Sequence, residues 1–125
     1  MRNQAELCTG PLLREPVECA MPEGDFFLDY SNLGIGSALC FQIRASREWR
    51  LEYKRLYLNR GNRPYDEILS CHHGGIRVLV DIGFGLRTCI LNRGSALVLP
   101  RYMPYWAETG WASGAFVQVH LGSLR

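Results

Sequence analysis

The chain has 125 residues, of which 47% are hydrophobic and 21% charged, and its formal net charge is +2. These proportions argue against a disordered chain and fit one globular domain with its own core. The small net charge, with no basic stripe, argues against nucleic-acid binding by phosphate neutralisation, and no apolar run approaches the ~20 residues that span a bilayer.

Lys54 is the single lysine beside thirteen arginines. Genomic base composition accounts for such a bias, and so would recognition of carboxylate or phosphate by planar guanidinium groups. The five cysteines, at 8, 19, 40, 71 and 89, form no CxxC pair. Cys40, Cys71 and Cys89 sit in apolar runs, where a reduced thiol behaves as a small hydrophobe. A reduced, cytoplasmic protein is expected, not a disulfide scaffold or zinc ribbon. No apolar stretch precedes Pro11, so no secretory leader is expected.

Residues 1–24 carry Pro11, Pro16, Pro22 and Gly24 and read as an irregular N-terminal arm, with at most a short edge strand. The domain proper is expected over 25–125. Residues 25–30 read as a strand and 31–36 as a loop. Alternation over 37–44 puts Leu39, Phe41 and Ile43 on one face, and 45–47 then read as a connection. A second alternating strand is expected over 49–59, with Trp49, Leu51, Tyr53, Arg55, Tyr57 and Asn59 on one side. That side grows polar toward its end, as a wall running from core to cavity mouth would.

The chain breaks at 59–64 and turns at 72–75. Strands follow at 67–71, 76–82, 86–91, 96–99 and 115–121, punctuated by glycine turns. Short strands at ~8–12-residue spacing, with no sustained helical period, predict an all-β sandwich or barrel with little helix.

Gly94 and Pro100 are separated by five residues, after a hairpin and before the aromatic stretch 102–108. This spacing resembles the second motif of the cupin superfamily. Further pieces are similar, in order, to the nucleotide-sugar (dTDP-4-keto-6-deoxyglucose) 3,4-ketoisomerase, or WxcM-like, branch of small cupins. They are Gly36-Ser37-Ala38-Leu39, Lys54-Arg55-Leu56-Tyr57, Asp66 to Cys71, His73-Gly74 and Trp106-Ala107-Glu108. The resemblance spans roughly 30–122. It implies a small single-domain jelly-roll β-barrel, a nucleotide-sugar ligand, and a homodimer in which the N-terminal arm joins the interface.

The departures bear on chemistry. The branch's catalytic His-x-His falls on Arg60 and Asn62, or on a shortened loop with no histidines, and Ala107 stands where a later histidine is expected. Arginine does not act as a base at neutral pH and asparagine does not titrate. A ketoisomerase must take a proton from carbon beside a carbonyl and return it. The family's reaction is therefore not expected.

The same losses argue against a metal site, which needs three or four converging ligands; no metal or other cofactor is expected. His72 and His73 read as turn residues, with metal ligation the sharper alternative. His120, with Phe116 and Gln118 on its face, is either a core histidine or, if that face lines the barrel, the available base. Tyr57 is either a half-buried strand aromatic or, through the resemblance, an active-site group. Arg55 would pair with Glu67 or Asp66, or hold an anion. Tyr102, Tyr105, Trp106 and Trp111 would stack on a ligand, cover a barrel end or form a dimer surface.

The favoured reading is a cupin that binds a small polar or anionic ligand without ketoisomerase activity. The candidate ligand-binding set is Arg55, Arg60, Asn62, Glu67, Trp106 and Gln118. The alternatives are an isomerase using His120 or Tyr57 as proton carrier, and a dimeric scaffold with a filled barrel.

Overall fold

The computed structural model describes residues 15–21, 27–29 and 38–124. Ten strands run in order: β1 (Val17–Ala20), β2 (Phe27–Asp29), β3 (Ala38–Leu51), β4 (Leu56–Asn59), β5 (Asp66–His73), β6 (Gly75–Asp81), β7 (Leu86–Asn92), β8 (Ser95–Leu99), β9 (Tyr105–Glu108) and β10 (Ala115–Leu124). No helix occurs among the described residues. All pairings are antiparallel, in a six-stranded sheet ordered β1-β8-β5-β10-β3-β2 and a four-stranded sheet ordered β4-β9-β6-β7. Neither sheet closes on itself, so the expected barrel is a jelly-roll sandwich of two open sheets.

Side-chain alternation builds the core between them. The large sheet contributes Leu51, Leu69, Cys71, Leu97, Leu99, Val117 and Val119, and the small one Ile76, Val78, Val80, Cys89, Leu91, Tyr105 and Ala107. Each fully buried aliphatic side chain is worth about 1.5–3 kcal/mol relative to exposure. β5 departs from half-buried alternation because its outer residue Ile68 is buried too, in a second cluster with Phe41, Ala96 and Val98 packed against Val17 and Cys19. The expected His73-Gly74 turn joins β5 to β6. Gly74 has φ 72°, and a Cβ there would come 2.6 Å from the Gly114 carbonyl oxygen, so glycine is required on both counts.

Three expectations are corrected. Residues 45–47 do not connect two strands, because β3 runs unbroken through them along β10. The strand expected over 49–59 is instead two strands in different sheets. Lys54 takes φ 62° and the Arg55 N–H donates to the Glu52 carbonyl at 3.0 Å, swinging β4 across the sandwich. The aromatic loop becomes strand β9 from Tyr105 onward, pairing with both β4 and β6.

Of the N-terminal arm, residues 1–14 and 22–24 lie outside the described residues, as does the loop at 31–36. Its described part, β1, pairs with β8 of this chain's own large sheet. No helix among the described residues is long and apolar enough to cross a membrane.

Candidate functional site

The jump of the chain from β3 to β4 brings the inner faces of the two sheets together over a set of polar groups. On β3, Arg47 and Trp49 share the inward parity of Leu51. On β4, Tyr57 and Asn59 point the same way, Glu67 lies inward on β5, and Tyr105 lies inward on β9. The Trp49 and Tyr57 rings stack, with centroids 4.7 Å apart and planes 11° from parallel, and Tyr57 lies 6.0 Å from the Tyr105 ring. The Arg47 guanidinium crosses between the sheets and donates to the Tyr57 hydroxyl at 2.7 Å.

Glu67 is the buried anion of this cluster, with 2% exposure. Its Oε1 accepts from Asn59 Nδ2 at 2.8 Å, its Oε2 accepts from the Tyr105 hydroxyl, and Arg63 Nη1 stands 3.9 Å from Oε1. Asn59 is itself fixed, its side-chain oxygen accepting the Gly61 N–H at 2.8 Å. Burial pushes the Glu67 carboxyl above its ordinary value, opposed by the Tyr105 hydrogen bond, the charges of Arg63 and Arg47, and the Asn59 hydrogen bond. Tyr105 is pushed well up by burial and by the Glu67 charge, so its hydroxyl keeps its proton and acts as donor.

The cavity beside Glu67, lined in part by Asn59, Arg63, Tyr102 and Tyr105, measures about 10 Å³. That is room for one water and not for a sugar ring. Toward β3 the cluster is rich in donors. The Trp49 indole N–H is buried and has no acceptor among the described residues, and Arg47, an exposed residue, makes no ion pair with any described carboxylate.

Only Glu67 and Tyr57 of the sequence-predicted set meet here. Arg55 does not share the Tyr57 face. It is exposed beside the β3–β4 turn and pairs with Glu52 at 3.6 Å, because the turn resets the alternation that linked them. Arg60 and Asn62 are exposed on the connection after β4. Trp106 points to the outer face of the small sheet, its neighbours across the strands being Leu58 and Leu79.

Gln118 and His120 point to the outer face of the large sheet, since the inward residues of β10 are Val117, Val119 and Leu121. There His120 Nδ1 shares a 2.7 Å hydrogen bond with Ser46 Oγ, and His72 Nε2 one of 3.1 Å with Gln118 Oε1. Burial, then the neighbouring His72, lowers the His120 pKa and favours the neutral ring. Asp66, also expected beside Arg55, takes the Arg101 backbone N–H at 2.8 Å and the Arg101 guanidinium at 3.2 Å. His72 and His73 close β5 as exposed residues and diverge, His73 lying 3.4 Å from Ser113 Oγ. No group of three His, Cys, Asp or Glu that could hold a metal occurs among the described residues.

The residues missed from sequence are Arg47, Trp49, Asn59 and Arg63; Tyr105 is expected only as one of the aromatics that stack on a ligand, cover a barrel end or form a dimer surface, and not as the donor to Glu67. Trp49 and Asn59 were on the correct face in the alternation. Arg47 was legible only by extending that alternation back through 45–47.

No family model and no curated protein matches the chain. Solved structures do. A 3,4-ketoisomerase from Helicobacter canadensis superposes with a TM-score of 0.64 at 12% identity, over 87% of this chain and 84% of that one. The TDP-quinovose 3,4-ketoisomerase WlaRB of Campylobacter jejuni gives 0.64 at 11% identity, over 89% and 87%. The chain has a cupin fold. A cupin without enzyme naming is similar as well: the CENP-C domain of Drosophila melanogaster, at a TM-score of 0.57 and 11% identity over 67% of this chain and 65% of that one. At these identities the likeness is one of fold, and it spans ketoisomerases and a domain named for no reaction.

Proposed function

We propose that this cupin binds a small anionic ligand at the Arg47–Trp49–Tyr57 end of the sandwich and does not catalyse ketoisomerisation. The carrying observation is the buried Trp49 N–H, without an acceptor among the described residues, two residues along the same inner face from Arg47. A buried orphan donor costs about 1–3 kcal/mol, and an acceptor-bearing guest removes that cost. Arg47 and Arg63 add positive charge, and the stacked Trp49–Tyr57 pair offers an apolar flank. A phosphate or carboxylate meets both needs. Nucleotide sugars and TDP are the first ligands to try, since one similar enzyme is named for TDP-quinovose and another, from Thermoanaerobacterium thermosaccharolyticum, was solved with TDP.

Three features support the absence of isomerase chemistry. Both Glu67 oxygens already accept hydrogen bonds, the adjoining space holds one water at most, and His120 lies on the opposite side of the large sheet from Glu67. Tyr57, the other candidate proton carrier, has its hydroxyl engaged by Arg47. A second reading, a filled scaffold that binds no small molecule, is favoured by that same 10 Å³ cavity. In either case the protein works as a homodimer in the reducing cytoplasm.

A thermal-shift panel of TDP, TDP-glucose, phosphate and dicarboxylates separates the two readings. A saturable upward shift that Arg47→Ala abolishes supports the anion site, and no shift with any of them leaves the scaffold. Incubation with a dTDP-4-keto sugar in deuterated water should show no protein-dependent loss of ring-proton signal. Exchange that disappears in Tyr57→Phe or His120→Ala would overturn the non-catalytic reading.

A further inference from the structure

The loop between β9 and β10 fixes a tryptophan at the surface. Trp111 is 55% exposed and takes no part in the buried core, yet its backbone is tied on both sides. Its N–H donates to Thr109 Oγ1 at 3.1 Å, and its carbonyl accepts the Gly114 N–H at 2.9 Å. Thr109 is itself buried, its hydroxyl donating to the Gly75 carbonyl at 2.7 Å. The indole also has a seat on β6. A Cβ on Gly75 would stand 3.0 Å from Trp111 Nε1, so the missing side chain lets the ring edge lie close against the strand. An exposed aromatic held in this way loses little freedom on meeting a ligand.

The surface beside Trp111 is grooved. Arg77 and Glu108 face outward, opposite in parity to the buried Val78 and Ala107, and form an ion pair. Hollows of about 380 and 510 Å³ flank that pair and share Arg77 and Gly110. Small-molecule sites span about 300–1,000 Å³, and both hollows fall in that range. Ile90 and Asn92 line the hollow on the Trp111 side, Tyr53 and Leu56 the other. At the centre the groove is neutral, because Glu108 meets the Arg77 charge. The paired guanidinium still has N–H groups to donate and the carboxylate still has lone pairs to accept, and the Asn92 amide adds donors and an acceptor.

We propose that this groove is a second binding site, separate from the Arg47 end of the sandwich, and that it takes a saccharide. One pyranose ring lies on Trp111, and its hydroxyls are held by Arg77, Glu108 and Asn92. A pyranose has a face of C–H groups and a rim of hydroxyls that donate and accept at once. The indole suits the first, and a neutral set of donors and acceptors suits the second. A phosphate or carboxylate gains less here, since the guanidinium that would meet it is already matched by Glu108. A nucleobase gains most between two rings, and Tyr53, across the ion pair, already has the Lys54 ammonium 5.3 Å from its ring centre. The open groove covers only part of its guest, so millimolar affinity is expected.

Saturation-transfer NMR on the full chain tests this, with the methyl glycosides of glucose, galactose and mannose, maltose, cellobiose and thymidine each at millimolar concentration. At least one saccharide is expected to receive signal, strongest at the C–H protons of one ring face. Its titration should shift the Trp111 indole N–H resonance and leave those of Trp49 and Trp106 in place. Trp111→Ala should abolish the transfer and Trp111→Phe retain part of it, while Gly75→Ala, which displaces the indole, should weaken binding at least threefold. Trp111 is exposed, so thermal melts should show its variants folded. The inference is overturned if no saccharide receives signal, whether or not thymidine does. It is overturned equally if the shift in the wild type falls on another tryptophan, if transfer survives in folded Trp111→Ala, or if TDP displaces the saccharide.

Discussion

Tyr105→Phe isolates the buried carboxylate on which the polar end of the sandwich depends. The substitution keeps the ring in the core and removes only the hydroxyl that donates to Glu67. A hydrogen bond to a charged group is worth about 1.5–3 kcal/mol, and Glu67, at 2% exposure, has little water to replace it. Asn59 at 2.8 Å and Arg63 at 3.9 Å remain. The expected loss is therefore about 2 kcal/mol at pH 7.5, not the full cost of an unpaired buried charge.

The loss should depend on pH. Without the hydroxyl the Glu67 pKa rises further, so the variant takes up a proton more readily, and a neutral carboxyl needs the missing donor less. Urea unfolding of both proteins between about pH 5 and 8 measures this, and the difference between them should shrink as pH falls. A loss below about 0.5 kcal/mol, or one of constant size across that range, would refute the reasoning.

Other outcomes follow from the same contacts. The Glu67 pKa is raised in the folded state, so its stabilising contribution is complete below the unfolded value, about 4.3, and is lost as pH rises through the folded one. Glu67→Gln should flatten that decline, giving a smaller difference in urea stability between pH 4.5 and 7.5 than the wild type shows. Gly74→Ala combines a φ of 72° with a contact 2.6 Å from the Gly114 oxygen and should lower stability by about 2 kcal/mol or more, read from the urea midpoint. Burial, then the Glu18 charge, pushes the Cys89 thiol up to about 11. Cys89 should therefore resist alkylation at pH 8 until denaturant is added, as mass spectrometry of the labelled peptides would show.

Much of the fold was legible. The strands from β5 onward announced themselves through aliphatic alternation and glycine turns, and His73-Gly74 carried its turn chemistry openly. The β3–β4 turn did not. Tyr53-Lys54 lacks glycine, proline and asparagine, and the left-handed conformation falls on Lys54. Alternation therefore runs straight across the turn in the sequence and puts Arg55 on a face it does not share. β9 was hidden because Pro104 and the surrounding aromatics imitate a loop, which concealed the inward direction of Tyr105 and its contact with Glu67.

The direction of His120 and Gln118, left open between core and cavity, follows from the sequence of β10. Val117, Val119 and Leu121 are the aliphatic set of β10, and alternation alone sends the intervening residues outward. The pairing of Glu67 with Asn59 and Tyr105 could not be read in advance, because it joins three strands across both sheets.

Isothermal titration of TDP into the wild type and into Arg47→Ala tests the proposed anion site most directly. The account predicts saturable binding by the wild type and at least a tenfold loss in the variant, with both proteins folded without ligand. Absence of binding heat in the wild type, or equal affinity in the two, would contradict it.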